Sequence, residues 1–282
     1  MTAGTLFKRS LALALILGVL ATAFFAARGF NLYRTALESQ SLDDMATAIE
    51  SEQGFTSLDK LPDLYLQAVV AVEDHRFYAH PGFDVIATGR ALVNNIKARS
   101  VVEGGSTITQ QLAKNQYFTQ EQTLERKLAE TLMAFTMESH FSKRKILELY
   151  VNSIYFGNGY EGIGNASMGY FGKQPGQLTE DECAMLAGIP NAPSVYSPAK
   201  NPDLARQRQQ EVLRKLVRYD YLDQARAQHL SARPTLSAVT PKAMTIPHSQ
   251  ARARGNNSKF CSRRAIVAAR AMLATASGRI PA

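Results

Sequence analysis

The sequence predicts a mostly α-helical protein carried on one N-terminal transmembrane helix, and three observations predict it. Leu11 to Ala27 form an unbroken run of 17 apolar or small residues, preceded by Lys8 and Arg9 and followed by Arg28. Beyond that run, apolar residues recur at helical spacing between Gly and Pro breaks, whereas strand patterns are scarce. The chain has 282 residues, 45% hydrophobic and 20% charged, a composition that can bury a substantial core and is not that of a disordered polymer.

The elements follow in order. Residues 1–30 read as a cytoplasmic N-terminus and a transmembrane anchor at the short end of bilayer-spanning length. Ala21-Thr22-Ala23 offers a cleavage site, but the run is longer than most signal-peptide cores, which favours an uncleaved anchor. Lys8 and Arg9 keep the N-terminus inside, so the rest faces outward. Residues 31–60 are a polar connector, helical in part around Ser41 to Glu52. The body spans 61–222. Leu61-Pro62-Asp63 starts a helix that runs through Leu66, Val69, Val70 and Val72 to Glu73-Asp74, and Pro81-Gly82 breaks it. Helices are then predicted over Val85 to Ala98, from Thr107 onward, over Thr123 to Met137, and over Lys143 to Asn152 behind a Ser142 cap. In the third of these, Leu124, Leu128, Leu132 and Phe135 share one face, with Arg126, Lys127 and Glu130 on the other side. Thr179 and Glu182 form a capping box for a short helix that ends at Gly188 and Pro190, and an amphipathic helix over about Leu204 to Arg218 closes the body.

Charge is unevenly placed. No Asp or Glu follows Asp223, while ten Lys and Arg do, leaving 22 cations against 24 acids before it. The formal charge of +8 therefore belongs to the tail, and nucleic-acid binding is not implied for the near-neutral body. The tail, 223–282, is expected to be disordered and without catalytic function; a lipid-facing basic segment with an interfacial helix over Phe260 to Ala276 is the alternative. Cys183 and Cys261 match no metal-ligand spacing and read as small buried residues rather than a disulfide.

Several motifs carry chemistry or its imitation. Gly104 to Asn115 is a small-residue turn entering an amide-rich helix with one lysine and no acid. Its apolar stripe is limited to Ile108 and Leu112; Thr107, Gln111 and Lys114 fall on the opposite side, suited to an anionic, hydroxyl-rich ligand or to plain solvation. Glu73 and Asp74 end an apolar run, so Glu73 is either half of a surface pair or a partly desolvated base. Lys143-Arg144-Lys145 opposes the helix dipole, as a patch for anionic lipid or phosphate or as a solvated face. Gly157-x-Gly159-x-x-Gly162 matches the dinucleotide fingerprint in letters but follows a helix, so it reads as a loop needing close backbone approach. Ser142-x-x-Lys145 and Ser197-x-x-Lys200 lack the companion motifs of serine acyltransferases, and no acyl chemistry is expected.

Taken together, the motifs carry a resemblance. Glu73-Asp74-x-x-Phe77-x-x-His80-x-Gly82-x-Asp84 resembles the first motif of the family-51 glycosyltransferases, the peptidoglycan glycan polymerases. Gly105-Ser106-Thr107-Ile108-Thr109-Gln110-Gln111-Leu112-x-Lys114-Asn115 is similar to the second, and Arg126-Lys127-x-x-Glu130 to the third. Lys145-Ile146-Leu147-Glu148-x-Tyr150-Val151-Asn152, continuing to Tyr170-Phe171-Gly172-Lys173, resembles the fourth, and Leu178-x-x-x-Glu182-x-Ala184-x-Leu186-Ala187 the fifth. The departures are Val151, where Leu is usual, and Asn165-Ala166-Ser167 in a stretch usually richer in alanine. The match covers about Ala68 to Pro193, without the transpeptidase domain of the bifunctional relatives, the class A penicillin-binding proteins.

This resemblance implies a monofunctional peptidoglycan glycosyltransferase with a lysozyme-like helical domain over 61–222 and a smaller membrane-proximal lobe. It implies polymerisation of lipid II into β-1,4-linked strands, with inversion and release of undecaprenyl diphosphate. Glu73 would be the general base. Glu130 would orient cations or hold a divalent ion (Mg or Mn), with no organic cofactor. Lys114, Arg126 and Lys127 would hold the leaving diphosphate, and Ser106, Thr107, Gln111 and Asn115 would line the donor side. Expected partners are lipid II, the growing lipid-linked glycan, the membrane, and a separate transpeptidase or other wall-assembly proteins. A peptidoglycan-cleaving lytic enzyme and a non-catalytic membrane-anchored scaffold are the competing functions.

Overall fold

The computed structural model describes residues 3–100 and 104–232, and among these residues it is helical, with one isolated antiparallel bridge between Tyr155 and Glu161. The first helix, α1 (Ala3–Ser39), is continuous for 37 residues. It is long and apolar enough to cross a membrane, and the side chains along its apolar stretch are exposed. Gly29, Tyr33 and Ala36 then turn one face inward, so the beginning of the predicted connector is the same helix continued.

That face lies on α6 (Leu124–His140). The approach is close: a Cβ on Gly29 would sit 2.9 Å from the carbonyl oxygen of Glu125. Tyr33 shares a 2.9 Å hydrogen bond with Thr136, and Arg28 lies 3.6 Å from Glu125. The sequence pattern misassigned the faces of α6. Its buried side carries Ala129, Glu130, Met133, Ala134 and Met137. Leu124 and Phe135 are exposed, and Leu128 lies beneath Gly29. Small and flexible side chains fill the core here, while the larger leucines face the anchor helix and solvent.

Between them, α2 (Leu42–Glu50) is capped by Ser41 and buries Leu42, Met45, Ala46 and Ile49 against α7 (Lys143–Ser153). The central helix is α3 (Asp63–Glu73), entered through Pro62. Tyr65 and Ala68 to Val72 are buried on several sides, because α9 (Glu180–Gly188) and α10 (Pro202–Arg218) pack across it. Lys215 of α10 donates to the carbonyl of Val72 at 2.9 Å, which serves the open C-terminal end of α3. By contrast α4 (Val85–Ala98), capped by Asp84, leaves Val85, Ile86, Leu92, Val93 and Ile96 exposed. The amide-rich segment forms α5 (Ile108–Tyr117), which packs on α6 and α7.

The glycine-rich loop leads into α8 (Ile163–Phe171), and its glycines answer to sterics. Gly162 has φ +75°, and a Cβ there would lie 2.5 Å from the Asn152 carbonyl. Gly164 is tighter still, with the Gly54 carbonyl 1.9 Å from the position of a Cβ. Ser142 and Ser197 are structural: the first caps α7, and the second is buried with hydrogen bonds to Tyr170 and Asn158.

Two further expectations change. The tail does not become irregular at 223, since α11 (Gln224–Ala232) buries Ala227 and Leu230, and Arg226 pairs with Glu180. Residues 233–282, including Phe260 to Ala276 and Cys261, lie outside the described residues. The Lys143-Arg144-Lys145 triplet is also spent internally. Lys143 binds Glu138 and the His80 carbonyl over the Phe77 ring, Arg144 pairs with Asp59, and Lys145 pairs with Glu50 and Glu148.

Candidate active site

Glu73 is the last residue of α3, where the buried helix emerges into a turn. Its Oε2 accepts a 2.8 Å hydrogen bond from Nε2 of Gln111 on α5. Its Oε1 is buried with no hydrogen-bond partner. The carboxylate thus has one oxygen held and one buried without a partner, in surroundings formed by Tyr65 and Tyr150. Burial, with the Glu73 charge adding to it, pushes both phenols well above the usual tyrosine range.

Asp74 does different work. It is buried; its Oδ2 accepts from the backbone N–H of Ile108 at 3.1 Å and lies 3.0 Å from His80 Nε2. Nδ1 of His80 receives the Gly82 N–H at 3.2 Å, which leaves Nε2 as the donor to Asp74. Asp74 and His80 therefore tie the turn after Glu73 to the first residue of α5. Their spacing in the first motif was the signal, but the partner N–H, 34 positions away, was not visible in the sequence.

The second motif divides by position. Thr107 is the N-cap of α5, buried, accepting from Gln110 N and donating to the Gly82 carbonyl at 2.7 Å. Gln110 completes the capping box and donates to Thr131. The hydroxyl of Thr107 is thus committed within the fold and not presented with Gln111 and Lys114. Ser106 is partly exposed and accepts from Lys127 Nζ at 2.7 Å. Asn115 is half-buried on α5, one residue past Lys114.

Cations gather around Glu130. It is 2% exposed, hydrogen-bonded at Oε1 to Arg126 and 3.3 Å from Lys127 at Oε2. Arg126 keeps its Nε–H buried without an acceptor. Lys114 has no hydrogen-bond or ion-pair partner among the described residues, yet it senses Glu130, Arg126, Lys127 and Glu73. Its pKa is lowered, first by burial and then by Arg126 and Lys127, against the opposing pull of Glu130 and Glu73. One neighbourhood therefore holds the open carboxylate oxygen of Glu73 and three cations balanced by a single buried acid.

A divalent cation does not fit Glu130 as it stands. Such ions need several oxygen donors, and both oxygens of this carboxylate already face cations. The one cluster of three acid or imidazole groups with metal-like spacing among the described residues is Asp74, His80 and Asp84. Asp74 and His80 are bonded to each other and Asp74 to the Ile108 N–H, while Asp84 accepts from the N–H groups of Ile86 and Ala87 and pairs with Arg76.

The described domain is helical, sets Glu73 and three cations in one charge neighbourhood, and is preceded by a helix long and apolar enough to cross a membrane. A family model described as transglycosylase matches residues 40–217. Penicillin-binding protein 1A of Aquifex aeolicus is 46% identical over 168 residues, covering 60% of this chain and 23% of that protein. A candidate transglycosylase of Cupriavidus necator is 42% identical over 203 residues, covering 72% of this chain and 86% of that protein. A crystal structure of penicillin-binding protein 1A from Haemophilus influenzae covers 66% of this chain and 18% of its own, at 20% identity and a TM-score of 0.40. The chain belongs to the transglycosylase family. It spans about a quarter of the length of the penicillin-binding proteins it matches.

Proposed function

We propose that this chain is a peptidoglycan glycosyltransferase that polymerises lipid II. The observation that carries the reading is that the charge of Glu73, whose Oε1 has no partner, and those of Arg126 and Lys127 all act on the same half-buried Lys114. Glu73 Oε1 takes the proton of the acceptor sugar's 4-hydroxyl. The freed oxygen bonds to the donor's anomeric carbon from the face opposite the leaving group, giving a β-1,4 link. The bond from that carbon to the diphosphate oxygen breaks, and its electron pair leaves on undecaprenyl diphosphate. Lys114 and the orphaned Nε–H of Arg126 receive that charge. Glu130 holds Arg126 and Lys127 in place, and no step passes through a metal. Ser106, Gln111 and Asn115 border the donor side; Thr107 contributes by capping α5.

The geometry disfavours the cleaving enzyme. Hydrolysis of a glycosidic bond needs a second carboxyl group as proton donor across the scissile bond. Here Asp74 is turned into Ile108 N and His80, and Glu130 is clamped by cations. Expulsion of a diphosphate needs cations in place of that acid. In this reading the N-terminus with Lys8 and Arg9 is cytoplasmic, the domain lies outside the membrane, and the partners are lipid II, the growing glycan and a separate transpeptidase.

The test is polymerisation of lipid II by the purified protein, with the product analysed after muramidase digestion. Glu73→Gln keeps the shape and should lower the rate by about 100-fold or more. Full polymerisation by a folded Glu73→Gln protein would remove Glu73 from this role.

A further inference from the structure

We propose that Tyr150 is a positioning residue for the base, acting through Gln111 to decide which oxygen of Glu73 receives the proton. The inference rests on the reading of Glu73 as the base, and it starts from a property of primary amides. Gln111 has an acceptor end and a donor end of nearly the same size, and a half-turn of its last bond exchanges them. A buried neighbour whose O–H has no other acceptor favours one of the two.

Tyr150 supplies that neighbour. It is fully buried on α7, and its hydroxyl lies 3.1 Å from Gln111 Oε1. Burial and the nearby Glu73 charge keep the phenol protonated far beyond neutrality, so it remains a donor throughout the working range. With Oε1 taken by that O–H, Gln111 must turn its Nε2 to Glu73 Oε2, the 2.8 Å contact observed. The opposite orientation would set the amide carbonyl against a carboxylate oxygen, two acceptors face to face, and would leave the buried O–H of Tyr150 without its acceptor, the phenol oxygen accepting from Nε2 instead.

Two consequences follow for the reaction. The N–H from Gln111 holds the carboxylate in one orientation by its Oε2. It also saturates Oε2, so the buried and unpartnered Oε1 is the oxygen left for the acceptor's proton. The groups that face the base from each packed element are few. They are Tyr65 on α3 itself, Lys114 on α5 and Tyr150 on α7. Cys183 on α9 lies beyond Tyr65, and Lys215 on α10 is bound to the Val72 carbonyl.

The experiment uses the full-length protein and lipid II, measuring kcat and KM across the acid to mildly alkaline range. The variants are Tyr150→Phe, Gln111→Ala, their combination and Glu73→Gln. Tyr150→Phe should lower kcat about tenfold, as expected for losing an oriented hydrogen bond to a charged group, with KM little changed. The double variant should be no slower than Gln111→Ala alone, since Tyr150 acts only through that amide. A wild-type kcat in Tyr150→Phe, or losses that multiply in the double variant, would overturn the proposal. A loss that only follows the fraction of folded protein, with kcat per folded molecule unchanged below the melting temperature, would assign Tyr150 a purely structural role and would also overturn it. Activity in Glu73→Gln overturns the base itself, whereas an inactive Glu73→Gln beside a wild-type Tyr150→Phe overturns only the relay.

Discussion

Replacing Lys114 with methionine should make the protein more stable and less active at once. Lys114 is half-buried, has no hydrogen-bond or ion-pair partner among the described residues, and stands with Arg126 and Lys127 around the single acid Glu130. Burial and those two cations lower its pKa below the ordinary 10.5, so the folded state holds the proton less tightly than the unfolded chain does. The sign follows from linkage. The folded state carries a penalty for this charge at every pH below the lowered pKa. The penalty fades as pH rises from there to 10.5 and is gone above both values. Methionine has a similar length and no charge, so Lys114→Met removes the penalty near neutrality.

Because the site is partly open to water, the gain is screened to about 0.5–1 kcal/mol, or a rise of roughly 1–3 °C in melting temperature for a domain of this size. Activity should move the other way. Loss of one fixed charge from a leaving-group cradle costs on the order of 100-fold in kcat. Thermal melts at several pH values, beside lipid II polymerisation rates, give both readouts. The stability difference should shrink toward alkaline pH, and the wild-type rate should fall on the alkaline side earlier than an ordinary lysine would dictate. A variant that melts lower than wild type near neutrality would refute the charge argument. A stabilised variant polymerising at the wild-type rate would refute the cradle.

Gly164→Ala places a methyl group where the Gly54 carbonyl already lies 1.9 Å away, so either the Gly54 turn or α8 must shift. The cost should be about 1–3 kcal/mol, seen as a melting temperature lower by several degrees, about 2–4 °C per kcal/mol. A wild-type melt would show that the two segments are not held together. Cys183 is 1% exposed, and burial pushes its thiol up to about 12. Peptide mapping after iodoacetamide treatment at mildly alkaline pH should find Cys183 unmodified in the native protein and alkylated after denaturation; native labelling would contradict its place against Tyr65.

Helix boundaries were legible where a side chain marks them. Asp84 opens α4, Ser142 opens α7, and the Thr179–Glu182 box opens α9, each as its sequence position indicates. The base and the cations were legible because their residue types are unusual for their places: an acid ending an apolar run, and Arg-Lys facing Glu one turn on. Thr107 was placed wrongly for a geometric reason. Its offsets of four from Gln111 and seven from Lys114 suit a shared face only inside a helix, and at the N-cap the backbone is extended, with φ −76° and ψ 165°. On α6 the leucine stripe was a poor guide because Ala and Met, not Leu, fill the tight core beside Glu130. The amide orientation of Gln111 depends on a phenol 39 positions away, and no local pattern encodes that.

The continuation of α1 into the domain bears on how such a site meets a lipid-linked substrate. The apolar run ends at Ala27, and Gly29 already touches α6 at Glu125 and Leu128. Two residues of helix amount to about 3 Å of rise. Arg126 and Lys127 lie between those two contact residues in sequence, and Glu130 stands one turn from Arg126. Arg126 and Lys127, two of the three cations, thus stand on the turn of α6 nearest the end of the apolar run, held there by helix packing without a flexible linker, while Lys114 comes from α5. A diphosphate joined to a polyprenyl chain occupies the boundary between hydrocarbon and water. In the proposed reaction, two of the cations that would receive such a group are carried by the turn of α6 that packs on α1 just past its apolar run, and the absence of a side chain at Gly29 is what lets the two helices come so close.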